Sequence, residues 1–374
     1  MDSSLSNDGI MMCQTGDVKF FQLTEREESE MKISVFSVDL AKGKFQVHGF
    51  DALGERRLAQ TLGRAGMQRL FSAQEEQGEV VMEACGSAHY WGRYLERLGY
   101  RVRLIAAQHV KPFVVGNKTD ANDADAIYEA SRRAGIRSVS IKSIAQQDAL
   151  VVHAHRERLV KARTALVNQL RGELAERGVV FGKKTGVLRR GVVAVLEQEA
   201  GGEVTEYLQR WVSERLDEWR SLDERIKGCE REMQQCYRAS PACVQIGAVE
   251  GIGVITATAT VATVGDARQY ESGRHFSAWL GLTPKERSSG QTRHLSGITK
   301  RGNSYLRKLF VHGARAAVRA AQRKTDARSR WINALVERRG HNKAVVALAN
   351  KNARIVWALL SSGECYRTPM AAAA

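Results

Sequence analysis

Four acidic residues in the first third of the chain have the types and spacing of metal ligands. Asp39 ends one apolar run, Glu83 ends another, and Asp120 and Asp123 lie three residues apart at the start of a predicted helix. A three-residue spacing places both aspartates on one helical face. Acids at adjacent strand ends and on a neighbouring helix can converge on one point, where like charges repel unless divalent cations neutralise them. The pattern predicts a phosphoryl-transfer site that holds two Mg²⁺ ions.

Each of these acids also has an ordinary structural interpretation when it is considered alone. Asp120 is a suitable residue to cap a helix, and Asp39 is an ordinary residue for a turn. Asp125 competes with Asp123, although it lies off the face that Asp120 and Asp123 share. The metal-site prediction therefore depends on the four acids occurring together and in this order.

A serine near the C-terminal end is the second candidate for chemistry. Ser288, Ser289 and Gly290 are consecutive, and a serine hydroxyl becomes a useful nucleophile only when a base or a metal activates it. Neither His nor Asp is adjacent to Ser289, so activation would have to come from elsewhere. Taken alone, Ser-Ser-Gly is typical of a surface turn.

Basic residues are concentrated around and after this serine. The formal net charge of the 374-residue chain is +16, and residues 285–354 contain 18 Lys or Arg against three acids, which is +15. This concentration favours a polyanionic partner, with nucleic acid first. Arginines beside the serine would stabilise transition-state charge, and the later cations would hold phosphates. The candidate nucleic-acid-binding residues are Arg287, Arg293, Lys300, Arg301, Arg307 and Lys308.

The apolar pattern predicts the elements that would position these residues. Strands are expected at 31–40, 44–50, 79–82 and 101–106, and helices at 59–72, 88–98 and from near Asp120, which is an α/β arrangement with a mixed sheet. Between 145 and 243 the pattern changes to long helices, predicted to form a coiled-coil hairpin whose apolar seam serves either internal packing or oligomerisation. A mostly helical domain is expected at 244–362, with Trp279, Trp331 and Trp357 in its core.

Composition excludes several other classes of protein. The chain has no apolar run of transmembrane length and no secretory signal, so membrane binding is disfavoured and the cytoplasm, with the nucleoid, is the expected location. The six cysteines include no C-x-x-C pair, which argues against structural zinc. Residues 1–30 and 363–374 are expected to be a flexible lead and a flexible tail.

Two sets of motifs resemble the DEDD transposases of the IS110 insertion-sequence family. The first set surrounds the acids: Val38-Asp39-Leu40-Ala41-Lys42, Met82-Glu83-Ala84-Cys85-Gly86 and Asn117-Lys118-Thr119-Asp120-Ala121-Asn122-Asp123-Ala124. The resemblance implies a domain of the RuvC and ribonuclease H type over 31–144, with Asp39, Glu83, Asp120 and Asp123 as its metal tetrad.

The second set surrounds the serine: Leu280-Gly281-Leu282-Thr283-Pro284, Ser288-Ser289-Gly290, and Gly297-Ile298-Thr299-Lys300-Arg301-Gly302-Asn303 with Leu306-Arg307. It resembles the C-terminal transposase domain of the same family, in which the serine before glycine attacks DNA. Ser289 corresponds to that nucleophile, while its neighbour Ser288 stays an alternative.

The resemblance also implies partners that composition and spacing do not reveal. These are donor and target DNA, a structured bridge RNA that pairs with both, and a tetramer in which the serine domain of one subunit meets the carboxylate domain of another. Two other functions remain open: a metal-dependent junction endonuclease in which water attacks, and a non-catalytic nucleic-acid-binding protein descended from a transposase.

Overall fold

The structure is a computed structural model that describes residues 32–74, 77–117, 119–198, 200, 202–290 and 292–367. The expected flexible lead at 1–30 lies outside these residues, as does the tail from 368 onward. The described chain divides into two compact units, with the division between Ile136 and Arg137.

The first unit is built on a mixed five-stranded sheet. Its strands are β1 (Val35–Leu40), β2 (Phe45–Phe50), β3 (Arg56–Leu62), β4 (Glu79–Glu83) and β5 (Arg101–Ile105), in the order β3-β2-β1-β4-β5. Strands β1, β2 and β3 pair antiparallel, whereas β4 runs parallel to both β1 and β5. The central strands are the most apolar because both faces of the sheet are covered.

Four helices accompany this sheet: α1 (Arg64–Ser72), α2 (Ala88–Arg97), the short α3 (Ala107–Val110) and α4 (Asp120–Ser131), with a 3₁₀ turn at Lys111–Phe113. Helix α4 packs on β1 and β2, where the Phe50 and Tyr128 rings stack with centroids 3.6 Å apart. The mixed α/β sheet is confirmed, but the predicted helix at 59–72 is wrong in its first part. Residues up to Leu62 form the edge strand β3, and helix α1 begins only at Arg64.

The second unit begins with long helices. They are α5 (Ile144–Ala175), α6 (Thr185–Glu197) and α7 (Glu206–Ala239). Ion pairs Arg156–Glu230, Arg163–Asp223 and Arg215–Glu173 connect α5 with α7, and their numbering shows that the two helices run antiparallel. Leucines of α5 and the Trp219 face of α7 form an apolar core that α6 also joins.

The C-terminal part of the second unit is mostly helical, as predicted. It contains α8 (Pro241–Gly247), α9 (Val254–Val264), α10 (Gly273–Trp279), α11 (Ser304–Ala321), α12 (Ala327–Arg339) and α13 (His341–Ser362), with a 3₁₀ turn at Ala267–Gln269. A two-stranded hairpin, β6 (Pro284–Glu286) and β7 (Leu295–Ile298), interrupts them. Trp279, Trp331 and Trp357 are partly buried and pack against this core. None of the helices in the described chain has the length and apolar character needed to cross a bilayer.

Candidate active site

The sheet places Asp39 and Glu83 next to each other. Strands β1 and β4 are parallel and in register from Val35 with Glu79 to Val38 with Met82, so the next residues along them are Asp39 and Glu83. Adjacent strands are about 4.8 Å apart, which brings both acids to one end of the sheet. The Cys85 thiol lies near both acids: burial, then the charges of Glu83 and Asp39, raise the pKa of this thiol to about 11.

Helix α4 places Asp120 and Asp123. Its N-cap is Thr119, whose hydroxyl accepts a hydrogen bond from the Asn122 backbone N–H at 3.2 Å, so the cap is not Asp120. The Asn122 side chain donates to the Asn117 carbonyl at 2.7 Å and fixes the approach to the helix. Both aspartates therefore lie in the first turn of α4, where the helix dipole favours negative charge.

Strand β1 and helix α4 bring three of the four acids together. The Ser37 hydroxyl, inside β1, donates to the Ala124 carbonyl of α4 and joins the two elements beside the acids. One carboxylate oxygen from each of Asp39, Asp120 and Asp123 can be chosen so that all three lie within 4.8 Å of one another. This is the one cluster with metal-ligand character found among the described residues, and Glu83 is outside it. Carboxylate oxygens that converge in this way suit a hard cation such as Mg²⁺.

Asp125, the competitor of Asp123, has different neighbours. It accepts from His48 Nδ1 at 2.6 Å and from Arg56 Nη1 at 3.0 Å, so it ties α4 to strands β2 and β3. Two residues along a helix separate side chains by about 200°. Asp125 therefore supports the packing of α4, and Asp123 is the acid that faces Asp39.

The Ser289 segment forms the tip of the β6–β7 hairpin. Ser289 and Thr292 exchange two backbone hydrogen bonds, of 3.3 and 3.1 Å. Gly290, in the turn between them, has a φ of +55°, a conformation that favours glycine. The hairpin is exposed to solvent on both strands.

Glu286 distinguishes the two neighbouring serines. The Ser288 hydroxyl donates to Glu286 Oε1 at 2.9 Å, and Arg293 donates from Nε to the same oxygen at 2.9 Å. The hydrogen bonds from Arg293 and Ser288 lower the pKa of Glu286. Within the described residues, the Ser289 hydroxyl has no such partner. Sequence reasoning missed Glu286 because its role depends on the hairpin that brings Arg293 opposite it.

The predicted nucleic-acid-binding cations differ in whether they already form ion pairs or hydrogen bonds within the protein. Arg287, Lys300 and Arg301 are exposed, and Lys300 has a φ of +56° in the loop before α11. Lys308 forms an ion pair with Glu157 of α5. Arg307 donates from Nη1 to the carbonyls of Leu280 at 3.0 Å and Arg301 at 2.8 Å, and so joins the two loops that flank the hairpin.

Two family models match this chain. The model of the transposase IS116/IS110/IS902 family matches residues 245–330, which include the Ser289 hairpin. A DEDD transposase model of the IS110 type matches residues 36–177, which include Asp39, Glu83, Asp120 and Asp123.

Similar proteins from several bacteria match nearly the whole chain. A probable family 20 transposase of Pseudomonas aeruginosa is 48% identical over 340 residues, which are 90% of this chain and 99% of that protein. The transposase for insertion sequence element IS1111A of Coxiella burnetii is 42% identical over 98% of this chain and 99% of its own length. The transposase for IS1328 of Yersinia enterocolitica is 32% identical over 89% of this chain and 98% of its own. The chain therefore belongs to the IS116/IS110/IS902 family of insertion-sequence transposases.

Proposed function

We propose that this transposase cuts and rejoins DNA through a serine nucleophile, Ser289, and a divalent-metal site formed by Asp39, Glu83, Asp120 and Asp123. The observation that carries the proposal is the convergence of the Asp39, Asp120 and Asp123 carboxylates from two separate elements. The family models support it, because they match both the acidic segments and the serine hairpin.

The serine step exchanges one ester for another. The Ser289 oxygen forms a bond to the scissile phosphorus while the bond to the departing DNA oxygen breaks, and the serine proton passes to that oxygen. The product is a phosphoserine link and a free DNA hydroxyl. In rejoining, a hydroxyl on another DNA end attacks the phosphoserine, and the proton returns to Ser289. The number of phosphate ester bonds is unchanged in each step, so no nucleotide hydrolysis is needed.

The acids would hold the metal at the end of the sheet. Asp39, Asp120 and Asp123 supply the converging oxygens, and Glu83 completes the set from the adjacent strand end. When bound there, two Mg²⁺ ions would supply Lewis-acid stabilisation of the charge that develops on phosphate oxygens.

Nucleic-acid contacts follow from the exposed cations. Arg287, Lys300 and Arg301 form no ion pair within the described residues and are available to phosphates. Arg293 and Lys308 would first exchange Glu286 and Glu157 for phosphate. Arg307 would contribute mainly by holding the loops on which Lys300 and Arg301 lie. Neutralised phosphates release counterions, so binding should weaken steeply with salt.

Family membership also supports partners beyond DNA. We propose that a bridge RNA selects the donor and target sequences. We further propose a tetramer in which the antiparallel α5–α7 pair acts as a coiled-coil contact and serine and carboxylates from different subunits cooperate. The exposed Tyr207 and Trp211 at the start of α7 are suitable for such a contact.

One observation favours a second function, a metal-dependent junction endonuclease. Among the described residues no basic side chain hydrogen-bonds the Ser289 hydroxyl, while the carboxylate cluster forms without any serine. In that case water attacks the phosphate, and Ser289 only contacts DNA.

A covalent-adduct assay separates these two functions. The protein is incubated with DNA that contains the ends of its element, the bridge RNA transcribed from that element, a target plasmid and Mg²⁺, and the products are separated under denaturing conditions. We expect an adduct that disappears in Ser289→Ala and in Asp39→Asn and persists in the matched control Ser288→Ala. Nicked DNA without adduct, unchanged in Ser289→Ala, would establish the endonuclease. Loss of the adduct only in Ser288→Ala would move the nucleophile to the neighbouring residue.

A further inference from the structure

Helix α13 carries a groove that the proposed chemistry does not use. Two cavities, of about 870 Å³ and 800 Å³, lie side by side and share the α13 residues Ala347 and Asn350. We call them together the α13 groove. Its chemically distinctive residues are Arg274, Trp331, Lys343, Lys351, Arg354 and Trp357.

The α13 groove is positively charged and contains no acid among the described residues that line it. Arg274, Lys343 and Arg354 are exposed and form no ion pair within the described chain. The Lys351 ammonium stands 4.0 Å from the centre of the Trp331 ring. Partial burial, then the charges of Arg328 and Arg354, lower the pKa of Lys351.

Unlike the groove cations, two of the cations near the serine are compensated by acids. Lys308 is paired with Glu157, and Arg293 is paired with Glu286. The backbones of α10 and α13 are in close contact, since a Cβ at Gly273 would lie 3.1 Å from the Arg354 Cα, so Arg274 and Arg354 face the cavity from two fixed elements. Cations fixed in this way favour an anionic occupant.

The groove also has flat aromatic walls. Trp357 donates from its indole N–H to the Ala267 carbonyl at 3.1 Å, and this bond holds the ring in place. Indole rings beside cations are typical of sites for unpaired nucleic acid, where bases stack on the rings and phosphates meet the cations. A duplex keeps its bases stacked inside the helix and offers only phosphates to such a wall.

The position of the groove indicates which strand it would receive. Leu295, Ser296, Gly297 and Ile298 of β7 form part of its wall. The Ser289–Thr292 pair lies three residues beyond Leu295, roughly 10 Å away at about 3.3 Å per residue. A DNA strand bound at Ser289 would therefore lie within about three nucleotides' reach of the groove, roughly 10 Å away.

We propose that the α13 groove binds an unpaired stretch of the DNA strand next to the cleavage point, with phosphates at Lys351 and Arg354 and a base against Trp357. The identity of the strand rests on the proposed function, but binding in the groove does not require the serine reaction.

Anisotropy with a fluorescent single-stranded oligodeoxynucleotide tests the charge part of this proposal. The full-length protein is compared with Lys351→Gln/Arg354→Gln and with a matched control, Arg190→Gln, which removes an exposed cation on α6 of the same unit. Each phosphate contact contributes about 0.7 to the salt slope for single strands, so the double variant should lose about 1.4 of slope and about tenfold in affinity. The control should lose neither.

Photocrosslinking tests the aromatic part without altering the protein. An oligodeoxynucleotide with 5-iodouracil in place of thymine should crosslink to the peptide that contains Trp357 or Trp331. Crosslinks confined to other peptides, or a double variant that binds single strands like the wild type, would overturn the proposal. Three further results for the double variant would also overturn it. They are an equal loss of affinity for duplex DNA, a loss of affinity for RNA of the same sequence but not for DNA, and a changed oligomeric state with unchanged affinity for DNA.

The experiments distinguish a failure of the groove proposal from a failure of the serine mechanism. Ser289→Ala should bind the single strand as the wild type does, because Ser289 lies outside the groove. If Ser289→Ala still cleaves DNA while the double variant loses single-strand binding, the nucleophile is wrong and the groove stands. If the adduct forms normally and the double variant binds single strands normally, the groove is wrong and the serine stands.

Discussion

Two aspartates on helix α4, Asp120 and Asp125, provide a matched test of the metal site. The same change, Asp to Asn, can be made five residues apart in one helix. Asp120→Asn removes a ligand from the cluster with Asp39 and Asp123, whereas Asp125→Asn removes a partner of His48 and Arg56. We expect Asp120→Asn to abolish stabilisation by Mg²⁺ and Asp125→Asn to preserve it.

The expected size of the Mg²⁺ effect follows from the geometry and from binding linkage. Two oxygens on one Mg²⁺ are about 3 Å apart when adjacent and about 4.2 Å apart when opposite, since each lies about 2.1 Å from the ion. The three carboxylates already lie within 4.8 Å, so small side-chain movements complete the site. With Mg²⁺ at ten times its Kd, opening of the site becomes about 11-fold rarer, or about 1.4 kcal/mol more costly.

Asp125→Asn should instead have a cost that does not depend on Mg²⁺. Its carboxylate is 41% exposed and Arg56 is 48% exposed, so solvent screens that ion pair, while His48 is buried. We expect a loss of about 1 kcal/mol, with and without Mg²⁺, mostly from the hydrogen bond to His48.

Hydrogen exchange measures both effects where they occur. Amide exchange in β1 and α4 is followed by mass spectrometry with and without Mg²⁺, which avoids assuming that the two units unfold together. The wild type and Asp125→Asn should show about 11-fold slower exchange in Mg²⁺. Equal slowing in Asp120→Asn, or its loss in Asp125→Asn, would refute the assignment of these residues.

Three further predictions concern the second unit, and urea unfolding measures each. Arg307→Ala should lower the free energy of unfolding by about 2 to 4 kcal/mol, because two charge-assisted hydrogen bonds to carbonyls are lost. If the stability is unchanged and DNA binding depends less on salt, Arg307 contacts a phosphate instead. Burial, then the charge of Arg156, lowers the pKa of His153 to about 4. Between pH 7 and pH 5 His153 therefore binds a proton in the unfolded chain but not in the folded one, so the free energy of unfolding should fall by about 2 kcal/mol. His153→Gln should not show this loss. Gly313→Ala should lower the free energy of unfolding by about 3 kcal/mol or more, because the added Cβ would lie 1.8 Å from the Gly251 carbonyl oxygen. In the control, Gly228→Ala, the added Cβ makes only ordinary van der Waals contact on helix α7, so this variant should be slightly more stable than the wild type.

The sequence predicted the acid positions because they depend on local signals. Asp39 and Glu83 end strongly apolar runs, and such runs become central strands. Asp120 and Asp123 follow Thr119, a residue type that caps helices. Strand β3 was missed because Arg56–Leu62 has one β-branched residue and lies exposed at the sheet edge, so pairing with β2, and not its own composition, makes it a strand.

The partners of the basic residues could not be predicted from the sequence. Lys308 and Glu157 are 151 positions apart, and Arg307 binds carbonyls that only the folded loops bring together. Glu286 is close to Ser288 in sequence, but only the hairpin register places Arg293 beside it. Such contacts depend on tertiary structure, so a basic stretch predicts an anionic partner without indicating which cations are available to it.

The most direct test of the serine mechanism is to locate the DNA on the protein. The covalent adduct is trapped with Mg²⁺, element DNA and the bridge RNA, and is digested with protease and nuclease. The peptide spanning the β6–β7 hairpin is then sequenced by mass spectrometry. We predict a nucleotide attached through phosphate to Ser289. A nucleotide on Ser288 or on any residue outside the hairpin, or cleaved DNA with no modified peptide, would contradict this account.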